Sequence, residues 1–230
     1  MKLAIMQPYF FPYIGYFQLV NSVDKFVFYD DVNYIKSGWI NRNRLFLADD
    51  VRYITVPVAD VSSFKKINAT QIKKDGKWIV KIINSIKQNY SEAPFYMPVC
   101  ELIESTLYSN CDSLSALAKF SVINTADYIG IDTDFIFSSV IYENQEKTGA
   151  DRVIDICIIE KATEYWNLPG GRNLYSTDQF KKYNINLKFA DVLIESYQQK
   201  SNNFYPGLSI IDVLMYNKPT KILQMLNISS

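Results

Sequence analysis

Two short apolar runs near the start of the chain constrain its fold most strongly. Residues 3–6 and 26–29 are each followed by polar residues, and such runs are typical of buried strands. Residues 16–23, between them, are long enough for two helical turns. A strand, a helix and a strand within about 30 residues form a βαβ crossover, which joins parallel strands and is right-handed. The sequence therefore predicts a parallel sheet.

Strands and helices continue to alternate along the rest of the chain. Residues 44–47 and 52–58 predict a hairpin that leads into a further core strand. Apolar residues at three-to-four spacing predict helices in the middle third, at residues 75–90, 94–107 and 113–129. The remaining predictions are strands at 134–138, 165–168 and 185–189, and helices at 149–164, 210–216 and 220–226. We predict one α/β domain over residues 1–230, with a Rossmann-like, mainly parallel sheet flanked by helices and a helical insertion at about 75–130.

Charge and cysteine content exclude several kinds of protein. Lys and Arg total 24, as do Asp and Glu, so the chain has no basic excess to hold a nucleic acid. The three cysteines have no metal-ligand spacing, and their odd number argues against a disulfide framework. No apolar stretch approaches the roughly 18 residues of a membrane span, and the first residues do not resemble a signal peptide. We expect a cytoplasmic protein that binds no nucleic acid and has no membrane span.

The absence of histidine limits the chemistry that the chain can perform. Histidine is the usual general base near neutral pH and the commonest metal ligand. Catalysis would therefore depend on Asp, Glu, Lys, Tyr or Cys side chains, or on a bound nucleotide. Cys157 lies on the apolar face of the helix predicted at 149–164, so we assign it to core packing.

The loop after the first predicted strand is the strongest candidate site. Open α/β sheets bind ligands at the carboxyl ends of their strands, and residues 7–16 follow such an end. Two prolines stiffen this loop, a glycine permits close backbone approach, and the following helix points free N–H groups forward. The candidate binding residues are Gln7, Tyr9, Pro12, Gly15 and Tyr16, and Tyr13 is a candidate catalytic residue. A rigid turn that only packs aromatic rings on the core is the alternative.

Two adjacent carboxylates, Asp30 and Asp31, follow the second predicted strand. Such a pair could hold Mg²⁺ on a nucleotide or act as a base, and both are candidate catalytic residues. Neighbouring side chains on a strand face opposite sides, so at most one would enter a given pocket unless the strand ends first. A solvated turn explains the pair equally well.

A second candidate binding segment combines an aromatic ring, amides and guanidiniums. Its proposed ligand-binding residues are Trp39, Asn41, Arg42 and Asn43, with Lys36 just upstream. Arg is suited to forked binding of phosphate or carboxylate, and Trp to stacking on a base or sugar ring. Surface packing is the alternative interpretation.

Other candidates follow later predicted strands, at the same edge of the sheet. Backbone N–H groups at Gly170 and Gly171 could bind an anion, although a plain turn fits these glycines as well. The remaining candidate binding residues are Ser138, Ser139, Tyr175 and Gln198.

Taken together, these segments resemble the WbqC-like protein family. The first half contributes residues 6–17, 24–27, 29–32 and 38–44, and the match continues at 138–139, 151–152, 156–157, 169–171, 174–175, 197–199 and 208–214. The resemblance covers essentially the whole chain. It implies a bacterial protein of surface-polysaccharide (O-antigen type) gene clusters, and it alone implies a binding role for Gln198.

The opening layout is also similar to nucleotidylyl transferases, whose His-x-Gly-His motif grips nucleotide phosphates. Tyr13-Ile14-Gly15-Tyr16 stands at those places, with tyrosine in both histidine positions. This similarity of layout implies a nucleotide ligand, whereas the two tyrosines depart from the motif that performs phosphate transfer.

Three functions remain open on this sequence. The first is an enzyme of polysaccharide biosynthesis that transfers an acyl or aminoacyl group to an amino sugar or sugar nucleotide, with ATP or a nucleotide sugar and Mg²⁺ as candidate cofactors. The second is a glycosyltransferase with metal held by Asp30 and Asp31. The third is a non-catalytic scaffold that binds other proteins of the polysaccharide machinery.

Overall fold

The computed structural model describes residues 1–60, 62–109 and 111–227. Its strands are β1 (Lys2–Met6), β2 (Lys25–Phe28), β3 (Arg42–Leu47), β4 (Asp50–Thr55), β5 (Asp134–Ile136), β6 (Glu164–Asn167) and β7 (Asn186–Phe189). Its α-helices are α1 (Ile14–Asn21), α2 (Lys77–Tyr90), α3 (Tyr96–Leu107), α4 (Leu114–Ile129), α5 (Gly149–Ile159), α6 (Thr177–Lys181), α7 (Ile210–Tyr216) and α8 (Pro219–Leu226).

Five of the strands form one parallel sheet, in the order β5-β2-β1-β6-β7. Successive strands run outward from β1 to β2 and β5, and the chain then returns to place β6 on the other side of β1. This is the order of a doubly wound sheet, and the direction of winding reverses between β1 and β6. The predicted α/β class with a parallel sheet is confirmed.

Alternate residues of the central strands face two different helical layers. Leu3 and Ile5 pack with Val153 and Cys157 of α5, on one face of the sheet. Ala4 and its neighbours on β2 face the other layer, which includes α1, α4, α7 and α8. Burial raises the pKa of the Cys157 thiol to about 12, as expected for a cysteine in the core.

Three features of the fold differ from the sequence-based expectations. β4 pairs with β3 in a separate two-stranded antiparallel sheet, so the hairpin adds no strand to the core sheet. α5 ends at Ile159 instead of continuing to residue 164. Lys161 adopts a left-handed conformation with φ 56°, and the Ala162 N–H donates to the Cys157 carbonyl over 2.8 Å. This Schellman-type ending releases the chain into β6. In addition, the short helix α6 was not predicted.

Within the part of the chain that the structure describes, no helix is both long enough and apolar enough to cross a membrane.

The turn that follows β1 is held in an unusual backbone conformation by three polar side chains. Phe11 has φ 40°, which is rare for a residue with a side chain of this size. Asn43 donates to the carbonyls of Phe10 and Phe11 over 3.1 and 2.7 Å. Ser121 accepts from the Phe11 N–H, and Ser209 donates to the Phe11 carbonyl. Contacts distant in sequence therefore fix this turn.

We expect Asn43→Ala to lower the free energy of unfolding by about 2–3 kcal/mol, because it removes hydrogen bonds to buried carbonyls. Urea unfolding followed by tryptophan fluorescence measures this change. Asn202→Ala, at an exposed asparagine, is the control and should change stability by less than about 0.5 kcal/mol. Equal effects of the two substitutions would show that Asn43 does not hold the turn.

Candidate functional site

A cavity of about 720 Å³ lies at the carboxyl ends of β1 and β6, where the winding of the sheet reverses. This is the position at which doubly wound sheets bind ligands, and the volume is within the range of small-molecule sites. The lining residues are Ile5, Met6, Gln7, Tyr9, Pro12, Tyr13, Tyr29, Ile35, Trp39, Asn43, Arg44, Asn167, Leu168, Pro169, Gly170, Gly171, Leu174, Tyr175, Val192, Ile194 and Gly207.

The structure brings nine of the sequence-predicted site residues to this cavity. They are Gln7, Tyr9, Pro12, Tyr13, Trp39, Asn43, Gly170, Gly171 and Tyr175. Two of them also have structural roles. The Asn43 amide holds the Phe10–Phe11 turn, and Gly171 packs so closely on Asn167 that an added Cβ would lie 2.6 Å from its Nδ2 atom. Gly170 has open space above it, so its backbone is accessible to a ligand.

Four phenol groups give the cavity its polar character. Burial raises the pKa values of Tyr9, Tyr13, Tyr29 and Tyr175, and Arg152 only partly offsets this effect at Tyr29. Phenols with raised pKa values keep their protons at neutral pH. They can therefore donate hydrogen bonds to oxygen atoms of a ligand, and their rings can stack on a sugar or a base.

Arg44 is the charged residue of the cavity lining, and the lining includes no Asp, Glu or Lys from the described residues. Sequence reasoning selected Arg42 instead. The Arg42 guanidinium lies 4.3 Å from the centre of the Tyr53 ring and donates to the carbonyls of Ser37 and Gly38. Arg42 thus braces the loop before β3, outside the cavity lining.

Gly15 and Tyr16 lie behind the cavity wall. An added Cβ at Gly15 would lie 2.5 Å from the Tyr13 ring and 2.6 Å from Val192, so the close approach that requires glycine here is made by the protein itself. Tyr16 is fully buried and its hydroxyl donates to the Gln7 carbonyl over 2.9 Å. Both residues support the loop and do not line the cavity.

Asp30 points away from the cavity into a buried ion pair. Lys119 of α4 contacts its carboxylate at 2.5 Å, and Ser115 and Ser138 donate to it over 2.9 and 2.6 Å. Burial lowers the pKa of Lys119, although the contact with Asp30 opposes this shift. Asp30 thus connects the end of β2 to the α4 layer.

Asp31 forms a second buried ion pair, on the opposite face of the sheet. Arg152 of α5 pairs with its carboxylate, and Ser139 and Gln145 donate to it over 2.5 and 3.1 Å. Burial opposes ionisation of Asp31, but these donors outweigh it and hold the pKa of the carboxyl below its usual value. The two aspartates follow the end of β2 at Phe28 and pair with helices on opposite faces of the sheet, and neither lines the cavity.

The remaining sequence-predicted residues lie elsewhere. Lys36 is exposed, and the Asn41 amide joins the Tyr34 hydroxyl to the Val56 carbonyl. Ser138 donates a hydrogen bond to Asp30, and Ser139 donates one to Asp31. Gln198 is exposed, whereas its neighbour Gln199 is buried and donates to Asp212 over 3.0 Å.

The segment between β7 and α7, residues 190–209, covers one side of the cavity, and sequence reasoning selected only the exposed Gln198 from it. Val192, Ile194 and Gly207 of this segment line the cavity. Gln18 of α1 holds it in place by donating to the Leu193 carbonyl over 2.7 Å and accepting from the Leu193 N–H. Tyr29 and Asn167 were also missed, although both sit at strand ends of the predicted sheet, which was a usable signal.

A buried carboxylate holds the middle of the covering segment. Asp212 accepts hydrogen bonds from Tyr90 and Tyr197, both at 2.7 Å, and from Gln199. Burial raises the pKa of Asp212 despite these three donors. The Tyr90 hydroxyl also accepts from the Phe46 N–H, so this network joins β3, α2, α7 and the covering segment.

The fold and the cavity define a Rossmann-like α/β protein with a ligand-sized cavity at the switch point of its sheet. Residues 7–224 match the WbqC-like protein family, and the chain belongs to that family. The chain is also 33% identical over 218 residues to the uncharacterized protein Rv1507c of Mycobacterium tuberculosis (strain ATCC 25618 / H37Rv). The aligned region covers 93% of this chain and 92% of that relative. No solved structure matches the chain.

We expect Lys119→Met to cost about 3–5 kcal/mol of stability, because it leaves the Asp30 carboxylate buried without a cation. Adding Asp30→Asn should recover much of this loss, and urea unfolding of both single variants and the double variant measures the coupling. Lys65→Met, which breaks the exposed pair with Asp60, is the control and should cost less than about 1 kcal/mol. Additive effects at Asp30 and Lys119 would contradict this account.

Asp212 should make stability depend on pH. A carboxyl whose pKa is higher in the folded than in the unfolded protein favours folding at low pH, and this contribution is lost as the pH rises through the raised pKa. The stability of Asp212→Asn relative to the parent protein should therefore increase between about pH 4 and about pH 7. Urea unfolding at both pH values measures it, with exposed Asp132→Asn as the control. A difference that is constant with pH would refute this prediction.

Proposed function

We propose that this protein is an enzyme of bacterial surface-polysaccharide biosynthesis that binds a sugar nucleotide in the switch-point cavity and transfers an acyl or aminoacyl group to its amino sugar. The observation that carries this proposal is the cavity itself. It lies where doubly wound sheets bind nucleotides and is walled by aromatic rings and amides, the groups that stack on and hydrogen-bond to sugars and bases. Membership of the WbqC-like family supports the polysaccharide setting.

The chemistry of the lining suits attack by an amine that the substrate supplies. The neutral amine of the sugar would attack the carbonyl carbon of an activated acyl group, forming an amide bond as the leaving group departs with its electron pair. The amine then loses a proton to the leaving group or to water. This reaction requires donors for the oxygen that becomes negative, and protonated phenols provide them. Tyr13, the N-cap residue of α1, is the proposed donor.

The activated acyl group has two candidate sources. ATP with Mg²⁺ could form an acyl-adenylate from a free acid, or a preformed acyl donor could enter the cavity. The test below supplies each source separately.

Metal-dependent glycosyl transfer is less well supported. It requires Asp30 and Asp31 to face the ligand, whereas both carboxylates are engaged in ion pairs outside the cavity lining. A scaffolding role without catalysis is retained as an outcome of the same test.

The first experiment measures the melting temperature of the protein with UDP-linked and dTDP-linked amino sugars, with and without ATP and Mg²⁺. A ligand at 100 times its dissociation constant adds about 2.7 kcal/mol of stability, enough for a shift of several degrees. The sugar nucleotide is then incubated in two separate reactions, one with candidate acids, ATP and Mg²⁺ and the other with a preformed acyl donor. Mass spectrometry of the sugar nucleotide detects an added acyl or aminoacyl group in either reaction. Stabilisation without product would indicate a binding protein, and the absence of both would contradict the proposal.

Tyr13→Phe tests the proposed donor, because it keeps the ring and removes the hydroxyl. We expect transfer to slow by about 100-fold or more, while sugar-nucleotide binding changes only a few-fold. Tyr108→Phe is the matched control, since Tyr108 is exposed at the end of α3 and does not line the cavity. Equal rates in the two variants would exclude Tyr13 as the donor.

A further inference from the structure

The Arg44 guanidinium is held rigidly at the cavity by its neighbours. Arg44 lies on β3 between the buried residues Asn43 and Leu45, and it donates through Nη2 to the Gly207 carbonyl over 3.2 Å. Its guanidinium carbon lies 5.5 Å from the centre of the Trp39 ring. The stacked ring and the carbonyl limit the orientations of the guanidinium, so it is arranged before any ligand binds.

Arg44 is partly buried, and its guanidinium has few partners within the described part of the protein. Among the described residues, Nε of Arg44 is a buried side-chain nitrogen without a hydrogen-bond partner. Arg44 also forms no ion pair within residues 1–60, 62–109 and 111–227. An unsatisfied buried donor is costly, and more so when it carries charge.

Arg152 is an arginine of the same protein whose guanidinium has a structural role. It is 3% exposed, pairs with Asp31 and donates through Nε to Asn144 over 2.9 Å. The protein thus supplies both an anion and an acceptor to this buried arginine. Arg44 is more exposed than Arg152, and among the described residues it has neither a counter-ion nor an acceptor for Nε. It lines a cavity whose described lining contributes no carboxylate.

We propose that Arg44 forms an oxyanion subsite in the cavity, which takes the diphosphate of a sugar nucleotide. An oxyanion in the cavity can accept from the terminal N–H groups of this guanidinium, which lines the cavity. The carboxylate of an acid to be activated presents the same chemistry and is the other source of such an anion. The sugar-nucleotide identity of the ligand rests on the proposed function, whereas the anion subsite rests on Arg44 alone.

The test is calorimetric titration with inorganic pyrophosphate, UDP, uridine and acetate. Arg44→Gln should weaken binding of pyrophosphate and UDP by about 10- to 100-fold and leave binding of uridine unchanged. Arg44→Lys should recover only part of the loss, because it keeps the charge and removes the fork. Arg52→Gln is the matched control, as Arg52 lies on β4 of the same hairpin and is exposed.

The outcomes separate this proposal from the proposed function. Equal effects of Arg44→Gln and Arg52→Gln, or loss of uridine together with pyrophosphate, would overturn the subsite. Arg44-dependent binding of acetate but not pyrophosphate would overturn the diphosphate assignment in favour of the carboxylate. Arg44-dependent pyrophosphate binding without sugar-nucleotide binding or acyl transfer would uphold the subsite and refute the proposed function.

Discussion

The parallel pairing of β1 with β2 on one side and with β6 on the other is the interaction on which the rest of the structure depends. The chain enters β1 first, winds outward through β2 and β5, and later returns to add β6 and β7. Connections after β1 and β6 therefore leave in opposite directions, and the space between them is not filled by either. The cavity is a consequence of this topology, and the side chains that line it determine what it can hold.

Two buried ion pairs fasten the end of β2 to the helical layers on both faces of the sheet. Asp30 reaches Lys119 in α4, and Asp31 reaches Arg152 in α5. Buried ion pairs contribute little net stability, because removing both charges from water offsets much of their attraction. They do restrict which helix lies against which strand end, since a misplaced layer would leave a charge unpaired. The Arg152 guanidinium also lies 4.9 Å from the centre of the Tyr29 ring, so the Asp31–Arg152 ion pair packs against a residue of the cavity wall.

The order of strands and helices could be predicted from sequence because it depends on local apolar patterns. The first loop could be selected as a candidate site for the same reason, since its position after β1 follows from the strand prediction. Side-chain direction was harder to predict. Arg42 and Arg44 lie on the same face of β3, and only the packing of Trp39, Tyr53 and Gly207 separates their environments. Similarly, the choice between Gln198 and Gln199 depends on contacts with Asp212, a residue distant from both in sequence order.

The covering segment between β7 and α7 is a single continuous stretch, and Gln18 joins it both to α1 and, through the Met225 carbonyl, to α8. The walls that come from strand ends are tied to the sheet, where most substitutions disturb the core. The cover contributes Val192, Ile194 and Gly207 without belonging to any strand or helix. Because loops tolerate substitution better than the elements they connect, relatives with the same scaffold can acquire different ligand preferences by substitutions in this segment.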